Sequence, residues 1–146
     1  MTTVAVRLPR GIRNNNPGNI RKTAIEWRGE IEGKDPEFEA FETLEHGIRA
    51  LAKTLLTYYR VHKLKTVGGI ISRWAPPSEN DTLAYIRSVS KALGVEPDET
   101  IDLENRETLC KLVSAIVRHE NGRKPDGSDW ITKDVIEQGV DMALDR

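Results

Sequence analysis

After residue 43, apolar side chains recur every three or four positions, the spacing that places them on one face of an α-helix. Five segments follow this pattern, and each begins at or beside a Thr, Asn or Asp whose side chain can cap the first free backbone N–H groups. The predicted helices run from Thr43 to about Val61, from Thr66 to the prolines at 76 and 77, from Asn80 or Asp81 to Leu93, from Asp102 to about Glu120, and from Thr132 to about Leu144.

The first 43 residues have no helical period. They contain the turn-forming strings NNNPGN and KDP, and only residues 37–42 alternate polar with apolar side chains, which predicts one short, half-buried strand. The sequence therefore predicts a mainly α domain with a small irregular or β lobe at its N-terminal end. We expect residues 1–9 to form a tail and residues 10–146 to form a single domain.

Composition excludes several classes of protein. The chain has 146 residues and a mean hydropathy of −0.51. It lacks an apolar run of the roughly 18–20 residues that a membrane span needs, and its first residues lack the apolar region of a secretory signal. We therefore expect synthesis in the cytoplasm without a signal peptide. A single cysteine, Cys110, excludes an intrachain disulfide and a cysteine-based zinc site.

The charge is balanced overall but uneven along the chain. A net charge of −1 gives no reason to expect a polyanionic partner. Residues 7–22 nevertheless carry only basic charges, whereas residues 26–45 are strongly acidic. The basic segment either binds nucleic acid or neutralises the acidic stretch within the fold. We favour neutralisation, because no aromatic side chains that could stack on bases lie between the arginines.

Motifs for metals and nucleotides are missing from the sequence. His46, His62 and His119 are far apart and lack metal-ligand spacing. The glycine motifs of nucleotide-binding loops and the GxSxG turn of serine hydrolases do not occur. We therefore expect neither a metal nor a cofactor, and nucleic acid is not an expected partner.

Among the side chains that could do chemistry, the carboxylates remain, and Glu120 is the leading candidate. It follows Ile116 by four residues and Val117 by three, so it continues the apolar stripe of its helix. A carboxyl at the edge of a core is partly desolvated, which favours the protonated form that a general acid needs. Asn-Gly then ends the helix, which predicts the carboxyl at the lip of a cleft. The alternative is a solvated glutamate at a helix end.

Two polar clusters have compositions that suit sugar binding. RNNNPGNIR, residues 13–21, presents asparagine amides, whose paired donors and acceptors match hydroxyl and acetamido groups. RWAPPSENDTLAY, residues 73–85, combines two aromatic rings with polar side chains on a loop stiffened by two prolines. The alternatives are a structural turn for the asparagines, core packing for Trp74 and helix capping for Asn80.

Six strings in the chain resemble a family of phage and prophage virion-associated proteins. They are RGIRNNNPGNIR from Arg10, WRG from Trp27, FEAF and GIRAL from Phe38 onward, IISRWAPPSEND from Ile70 and AIVRHENG from Ala115. Members of this family are usually labelled structural protein or peptidoglycan hydrolase. The resemblance covers residues 10–122. It implies association with the virion or release to the cell wall, with peptidoglycan glycan strands and other virion proteins as partners.

The chain also resembles bacterial N-acetylglucosaminidases of the flagellar and autolysin type and lytic transglycosylases, which share a lysozyme-like α fold. In those enzymes a helix ends in a glutamate within E-S-G, and an Asn-rich turn, W-x-G, a short strand and a Tyr-containing string follow. Here residues 120–122 match E-S-G with Asn121 in place of serine, and the glutamate helix comes last. A circular permutation would produce this order, because domain termini often lie close together. The resemblance implies a lysozyme-like domain with Glu120 as the catalytic residue.

A second catalytic carboxylate has three candidates. Glu30 and Glu32 lie just after WRG, where some glucosaminidases place another acid, and Glu79 lies in the WAPPSEN string. If one of them reaches the cleft, the resemblance implies hydrolysis by two carboxylates. If none does, it implies a one-acid transglycosylase, in which a hydroxyl of the substrate is the nucleophile.

Three functions remain open at this point. The first is cleavage of the β-1,4 glycan strand of peptidoglycan, in which Glu120 donates a proton. The asparagines would then bind acetamido or hydroxyl groups, the two aromatic rings would flank sugars, and the loop polar groups would bind the sugar or a water. These substrate-binding candidates are Asn14, Asn16, Asn19, Trp74, Glu79, Asn80 and Tyr85. The second function is a non-catalytic virion or glycan-binding protein on the same scaffold. The third is a nucleic-acid-binding module that uses residues 7–22.

Overall fold

The computed structural model describes residues 7–145, which form six α-helices and one two-stranded antiparallel ribbon. In chain order the elements are α1 (Arg10–Arg13), β1 (Glu30–Ile31), β2 (Ala40–Phe41), α2 (Leu44–Arg60), α3 (Val67–Trp74), α4 (Thr82–Leu93), α5 (Arg106–Asn121) and α6 (Lys133–Leu144). The prediction of a mainly helical chain with a small β lobe near its start is confirmed. None of the helices within residues 7–145 has the length and apolar character needed to cross a membrane. Residues 1–6 of the predicted tail lie outside the described residues.

Side-chain caps confirm four of the five predicted helix starts. Each of these caps accepts a hydrogen bond from the backbone N–H three residues further on, and they are Thr43, Thr66, Asp81 and Thr132. The predicted start of α5 was wrong, because Asn105 and not Asp102 caps that helix. The Asp102 carboxylate instead accepts the N–H of Glu104 at 2.9 Å and closes a turn ahead of the helix.

The N-terminal lobe has one more helix and less strand than the sequence pattern predicts. α1 is a single turn, too short to show a period. Of the strand predicted at residues 37–42, only Ala40 and Phe41 pair with β1. The N–H of Glu39 donates instead to the carbonyl of Ile20 at 2.9 Å. The first half of the predicted strand therefore pairs with the end of residues 14–20, which we call the asparagine turn.

The core lies among the five long helices. α2 packs along α6, and α4 packs against both α3 and α5. The largest fully buried aliphatic side chains are Ile48, Leu51, Leu55, Leu56, Ile70, Ile71, Leu103, Leu109, Leu112 and Ile116. All of them lie on the predicted apolar stripes except Leu103, in the turn before α5, and Leu56, which the predicted stripe of its helix did not include. Five other residues of the predicted stripes are only partly buried at the core edge, namely Leu44, Tyr58, Trp74, Ile86 and Leu93. Burial of this apolar surface is the main stabilising contribution to the helical part.

Ion pairs join the basic and acidic segments of the lobe. Arg10 donates two hydrogen bonds to Asp35 at 2.5 and 2.8 Å, and Arg21 lies 3.6 Å from Glu37. Both guanidinium groups also lie over the ring of Phe38, 4.4 and 5.1 Å from its centroid. The expectation that the basic segment neutralises the acidic stretch within the fold is confirmed at these two pairs.

Asn16 holds the asparagine turn together from the inside. Its side chain is fully buried, and its amide donates to the carbonyls of Ile20 and Glu39, both at 2.9 Å. Its Oδ1 accepts the N–H of Ile20 at 3.0 Å. Every strong hydrogen-bonding group of this buried amide is thus used, which satisfies the usual requirement for buried polar groups.

The asparagine turn lies directly on the first turn of α2. At Gly47 the two backbones approach so closely that a β-carbon would overlap the carbonyl oxygen of Asn15 and contact the ring of Pro17. Because the closest atom belongs to the backbone, it cannot move aside as the end of a side chain would. The absence of a side chain at Gly47 therefore allows the asparagine turn to pack against α2.

We expect Gly47→Ala to lower the free energy of unfolding by about 1–3 kcal/mol, the usual cost of overpacking a close contact. Thermal or denaturant unfolding measures it. Ser88→Ala, at an exposed position of α4, is the control and should leave stability nearly unchanged. A Gly47→Ala variant as stable as the natural chain would contradict the close approach.

Candidate functional site

Glu120 lies in the last turn of α5, where the apolar stripe of the helix reaches the surface. Its side chain is half-buried, as the spacing from Ile116 and Val117 predicts. Gly122 ends the helix with a φ of +66°, a conformation that favours glycine. The carboxyl is therefore held at the end of a rigid element and still reaches solvent.

Two donors from distant parts of the chain hold the Glu120 carboxyl. The amide of Asn19 donates to Oε1 at 3.2 Å, and the hydroxyl of Tyr85 donates to Oε2 at 2.8 Å. The Tyr85 oxygen in turn accepts the indole N–H of Trp74 at 3.2 Å. The structure thus brings together one residue of the asparagine turn, two of the WAPPSEN region and the glutamate, as the sequence predicts.

Tyr85 contacts Glu120 from the buried side of the carboxyl. Only 1% of its surface is exposed, and the ring of His119 stacks on it with centroids 3.6 Å apart. Burial, together with the neighbouring negative charge of Glu120, raises the pKa of the Tyr85 hydroxyl well above its usual range. The phenol therefore keeps its proton and remains a hydrogen-bond donor to the carboxylate at any physiological pH.

A second contact fastens the asparagine turn to the end of α5. The amide of Asn121 donates to the carbonyl of Pro17 at 2.8 Å and to that of Val117 at 2.9 Å. Gly11 in α1 lies against the same spot, and a β-carbon there would come within 3.0 Å of both Asn121 and Asn19. Asn19 itself has a φ of +52°, a left-handed conformation that asparagine tolerates better than most residues.

A cleft of about 410 Å³ opens beside Glu120. The asparagine turn and the segment after it line one side, and the ends of α2 and α3 with the WAPPSEN loop line the other. Its aromatic residues are Trp27, Phe38, Tyr58 and Trp74, and its polar residues include Asn19, Glu79, Asn80 and Glu120. Flat apolar faces with a few polar groups are suited to sugar rings and their hydroxyls.

The predicted binding residues divide into two groups. Asn19, Trp74, Glu79 and Asn80 line the cleft. The other three do not: Asn14 donates to Asp35 at 3.1 Å and lines a different cavity, Asn16 is fully buried, and Tyr85 lies beneath Glu120. Core packing, the alternative considered for Trp74, holds in part, since its ring also packs against the core. Helix capping, the alternative considered for Asn80, does not hold, because Asp81 caps α4.

Of the three candidates for a second acid, only Glu79 lines the cleft. Glu30 lies in β1 and Glu32 just after it, and both are exposed outside the cleft. Glu30 faces another carboxyl that sequence reasoning did not single out, Glu39, which is only 5% exposed. Burial, reinforced by the Glu30 carboxyl, raises the pKa of Glu39 to about 7.

Several residues that line the cleft are not among the predicted site residues, and four of them have large apolar side chains that a ligand could contact: Ile25, Trp27, Phe38 and Tyr58. Tyr58 lies on the apolar face of its helix, which by itself indicates only core packing, and Trp27 and Phe38 lie in segments without a helical period. Ile25 carried no signal, although 53% of its surface is exposed. An exposed isoleucine close to a tryptophan is a weak sign of an apolar binding surface, and only the fold shows which side it faces.

Metal chemistry gains no support from the described part of the chain. Among residues 7–145, no three His, Cys, Asp or Glu side chains are grouped so that they could hold an ion.

The chain is similar to a known phage protein. It is 44% identical over 128 residues to protein P5 of Pseudoalteromonas phage PM2, and the match covers 85% of this chain and 78% of that protein. No known protein-family model matches the chain.

The Glu30–Glu39 pair makes stability depend on pH. Between pH 4.5 and about 7, folded Glu39 keeps a proton that the unfolded chain releases. The folded state then binds more protons, so the free energy of unfolding falls as pH rises and levels off above about 7. We expect Glu39→Gln to remove this slope and to melt at a higher temperature than the natural chain at pH 8.

Melting temperatures measured from pH 4 to pH 9 test this expectation. Glu32→Gln removes an equal charge from an exposed position of the same lobe and should retain the slope. Parallel pH profiles for the natural chain and Glu39→Gln would contradict the assignment.

Proposed function

We propose that this chain, which belongs to the family of protein P5 of Pseudoalteromonas phage PM2, cleaves the glycan strand of peptidoglycan with Glu120 as the proton donor. The observation that supports this most is the position of Glu120: Asn19 and Tyr85 hold its carboxyl at the edge of a cleft with aromatic walls. A general acid needs this combination of fixed position and access to the scissile bond. The protein would then act as part of the virion or after release to the cell wall.

Chain order supplies a second line of support. Asn19 and Glu120 are 101 residues apart in sequence, yet they share a hydrogen bond. A circularly permuted lysozyme-like domain requires its asparagine turn to meet the glutamate helix in space, although the helix now comes last. The proposed kinship with lysozyme-like enzymes rests on this contact and on the matching strings.

In the proposed reaction Glu120 protonates the glycosidic oxygen while the bond to the anomeric carbon breaks. The resulting carboxylate then takes a proton from the attacking hydroxyl, so that the residue serves first as acid and then as base. Tyr85 keeps the carboxyl oriented in both states, because its hydroxyl donates to Oε2 throughout, while the proton of the acid form is on Oε1 and passes from there to the glycosidic oxygen. Trp27 and Trp74 would flank the sugar rings, with Asn19 and Asn80 near their polar groups.

One observation favours a second candidate function, that of a non-catalytic virion or glycan-binding protein. Both oxygens of Glu120 already accept hydrogen bonds from the protein, and a purely structural carboxylate is held in the same way. This candidate predicts that the chain binds sacculi without forming new reducing ends or anhydro sugars.

We expect Glu120→Gln to lower muropeptide release from sacculi by at least about a hundredfold, because general acid catalysis contributes about that much or more. Glu107→Gln is the matched control, since it changes an exposed glutamate in the first turn of the same helix. Circular dichroism should show that both variants fold. If Glu120→Gln released muropeptides at the rate of the natural chain, Glu120 would not be the proton donor.

We expect Glu79→Gln to leave muropeptide release largely unchanged and the products to carry anhydro sugar ends. Glu79 reaches the cleft, which on the resemblance alone would imply hydrolysis by two carboxylates. We favour the one-acid reaction because Glu79 is exposed and no hydrogen bond from elsewhere in residues 7–145 holds its carboxyl, whereas a catalytic group must be held in place. Mass spectrometry of digested sacculi identifies the ends. Reducing ends, together with a loss in Glu79→Gln as deep as that in Glu120→Gln, would instead indicate hydrolysis by two carboxylates.

A further inference from the structure

A second cavity lies in the N-terminal lobe, outside the cleft, and the proposed reaction does not use it. Its volume is about 620 Å³, larger than that of the cleft. α1 and the start of the asparagine turn line one side, and the ribbon with its connecting loop lines the other. We call it the lobe cavity.

The walls of the lobe cavity carry unbalanced positive charge. Asp35 is neutralised by Arg10 and also accepts hydrogen bonds from Asn14 and from the backbone of Glu37, contacts that hold the pKa of its carboxyl well below the usual range. Arg13 and Lys34 line the same cavity, and neither forms an ion pair with an acid of residues 7–145. Two cations are therefore left to face the space.

The apolar surface that the lobe cavity offers to a ligand comes from two exposed residues, Ile31 and Pro36. Ala40 and Phe41 also line the cavity but are buried, so they offer a ligand little surface. A ligand that suits this surface carries negative charge next to small apolar groups. Nucleic acid suits it less, because Phe41 has no exposed face on which a base could stack.

The Phe38 ring contacts residues that line the lobe cavity and residues that line the cleft. Arg10 lines the cavity, Arg21 lines the cleft, and both guanidinium groups lie over the ring of Phe38, which also lines the cleft. The lobe cavity and the cleft therefore have lining residues that contact the same ring, which is the geometric reason to consider one branched ligand for both.

We propose that the lobe cavity binds the acidic peptide that branches from the glycan strand in the cleft, with Arg13 and Lys34 pairing with its carboxylates. Such stem peptides combine free carboxylates with small alanine side chains, which matches two cations beside the exposed side chains of Ile31 and Pro36. This inference rests on the proposed function for its choice of ligand. It makes peptide-bearing strands better ligands than bare glycan.

The test is the binding of stem peptide that an amidase has released from sacculi and that carries no sugar. Calorimetry or NMR titration uses the full chain, so the measurement does not depend on catalysis. We expect the double variant Arg13→Gln/Lys34→Gln to bind at least about tenfold more weakly, because both charge-assisted contacts to the peptide carboxylates are lost. Arg87→Gln/Lys91→Gln removes the same charge from the exposed face of α4 and should bind as the natural chain does.

A further variant tests whether the effect is specific to the cavity and does not come from a lower overall positive charge. Ile31→Glu places a carboxylate at the edge of the cavity and should weaken peptide binding, with a larger effect at low salt. Unchanged affinity in the Arg13/Lys34 double variant, or no peptide binding by the natural chain, would overturn the proposal. Tighter binding of a single-stranded oligonucleotide than of the peptide would also overturn it.

Glu120→Gln separates this inference from the proposed function. The variant should bind the free peptide as well as the natural chain does, whether or not sacculi are cleaved. If the natural chain fails to cleave sacculi but Arg13 and Lys34 still determine peptide affinity, the proposed reaction fails and the peptide site stands. If cleavage occurs and the peptide does not bind, the reaction stands and the peptide site fails.

Discussion

The candidate site depends on the contact between the asparagine turn and the ends of two helices. Gly47 lets the turn lie on α2, and Asn121 fastens the carbonyl of Pro17 to the end of α5. Only in that position does Asn19 reach the Glu120 carboxyl. The contact joins residues that are far apart in sequence, so forming it costs chain entropy. Burial of apolar surface in the helical core offsets that cost.

A buried phenol beside a carboxylate gives the site its electrostatic character. Tyr85 is almost fully buried, and such a hydroxyl is costly unless it has a partner. It has two, since it accepts from Trp74 and donates to Glu120. These hydrogen bonds fix the carboxyl without a formal positive charge. Among the described cations of the lobe, Arg10 and Arg21 pair with acids, and Arg13 and Lys34 line the other cavity.

The sequence was a good guide to elements and an uneven guide to individual side chains. Apolar spacing and capping residues located the five long helices, because both signals are local. At α5 two residues that can cap a helix lie three positions apart, and Asp102, the earlier one, closes a turn while Asn105 forms the cap. The ribbon was harder to predict, since the partner of Glu39 lies in the asparagine turn and hydrogen bonding between distant segments leaves no periodic trace.

The sequence by itself determined that Glu120 ends an apolar helical stripe, because a period of 3.6 residues assigns every position of a helix to a face. It also determined that residues 14–20 form a turn and that residues 76 and 77 end a helix. Only the tertiary structure decided that Asn19 donates to Glu120, whereas Asn16 is buried and holds the asparagine turn together. It likewise decided that Glu79 lines the cleft, whereas Glu30 faces Glu39. In a turn, neighbouring side chains point in unrelated directions, so what each one contacts is decided by the packing of segments that are far apart in the chain.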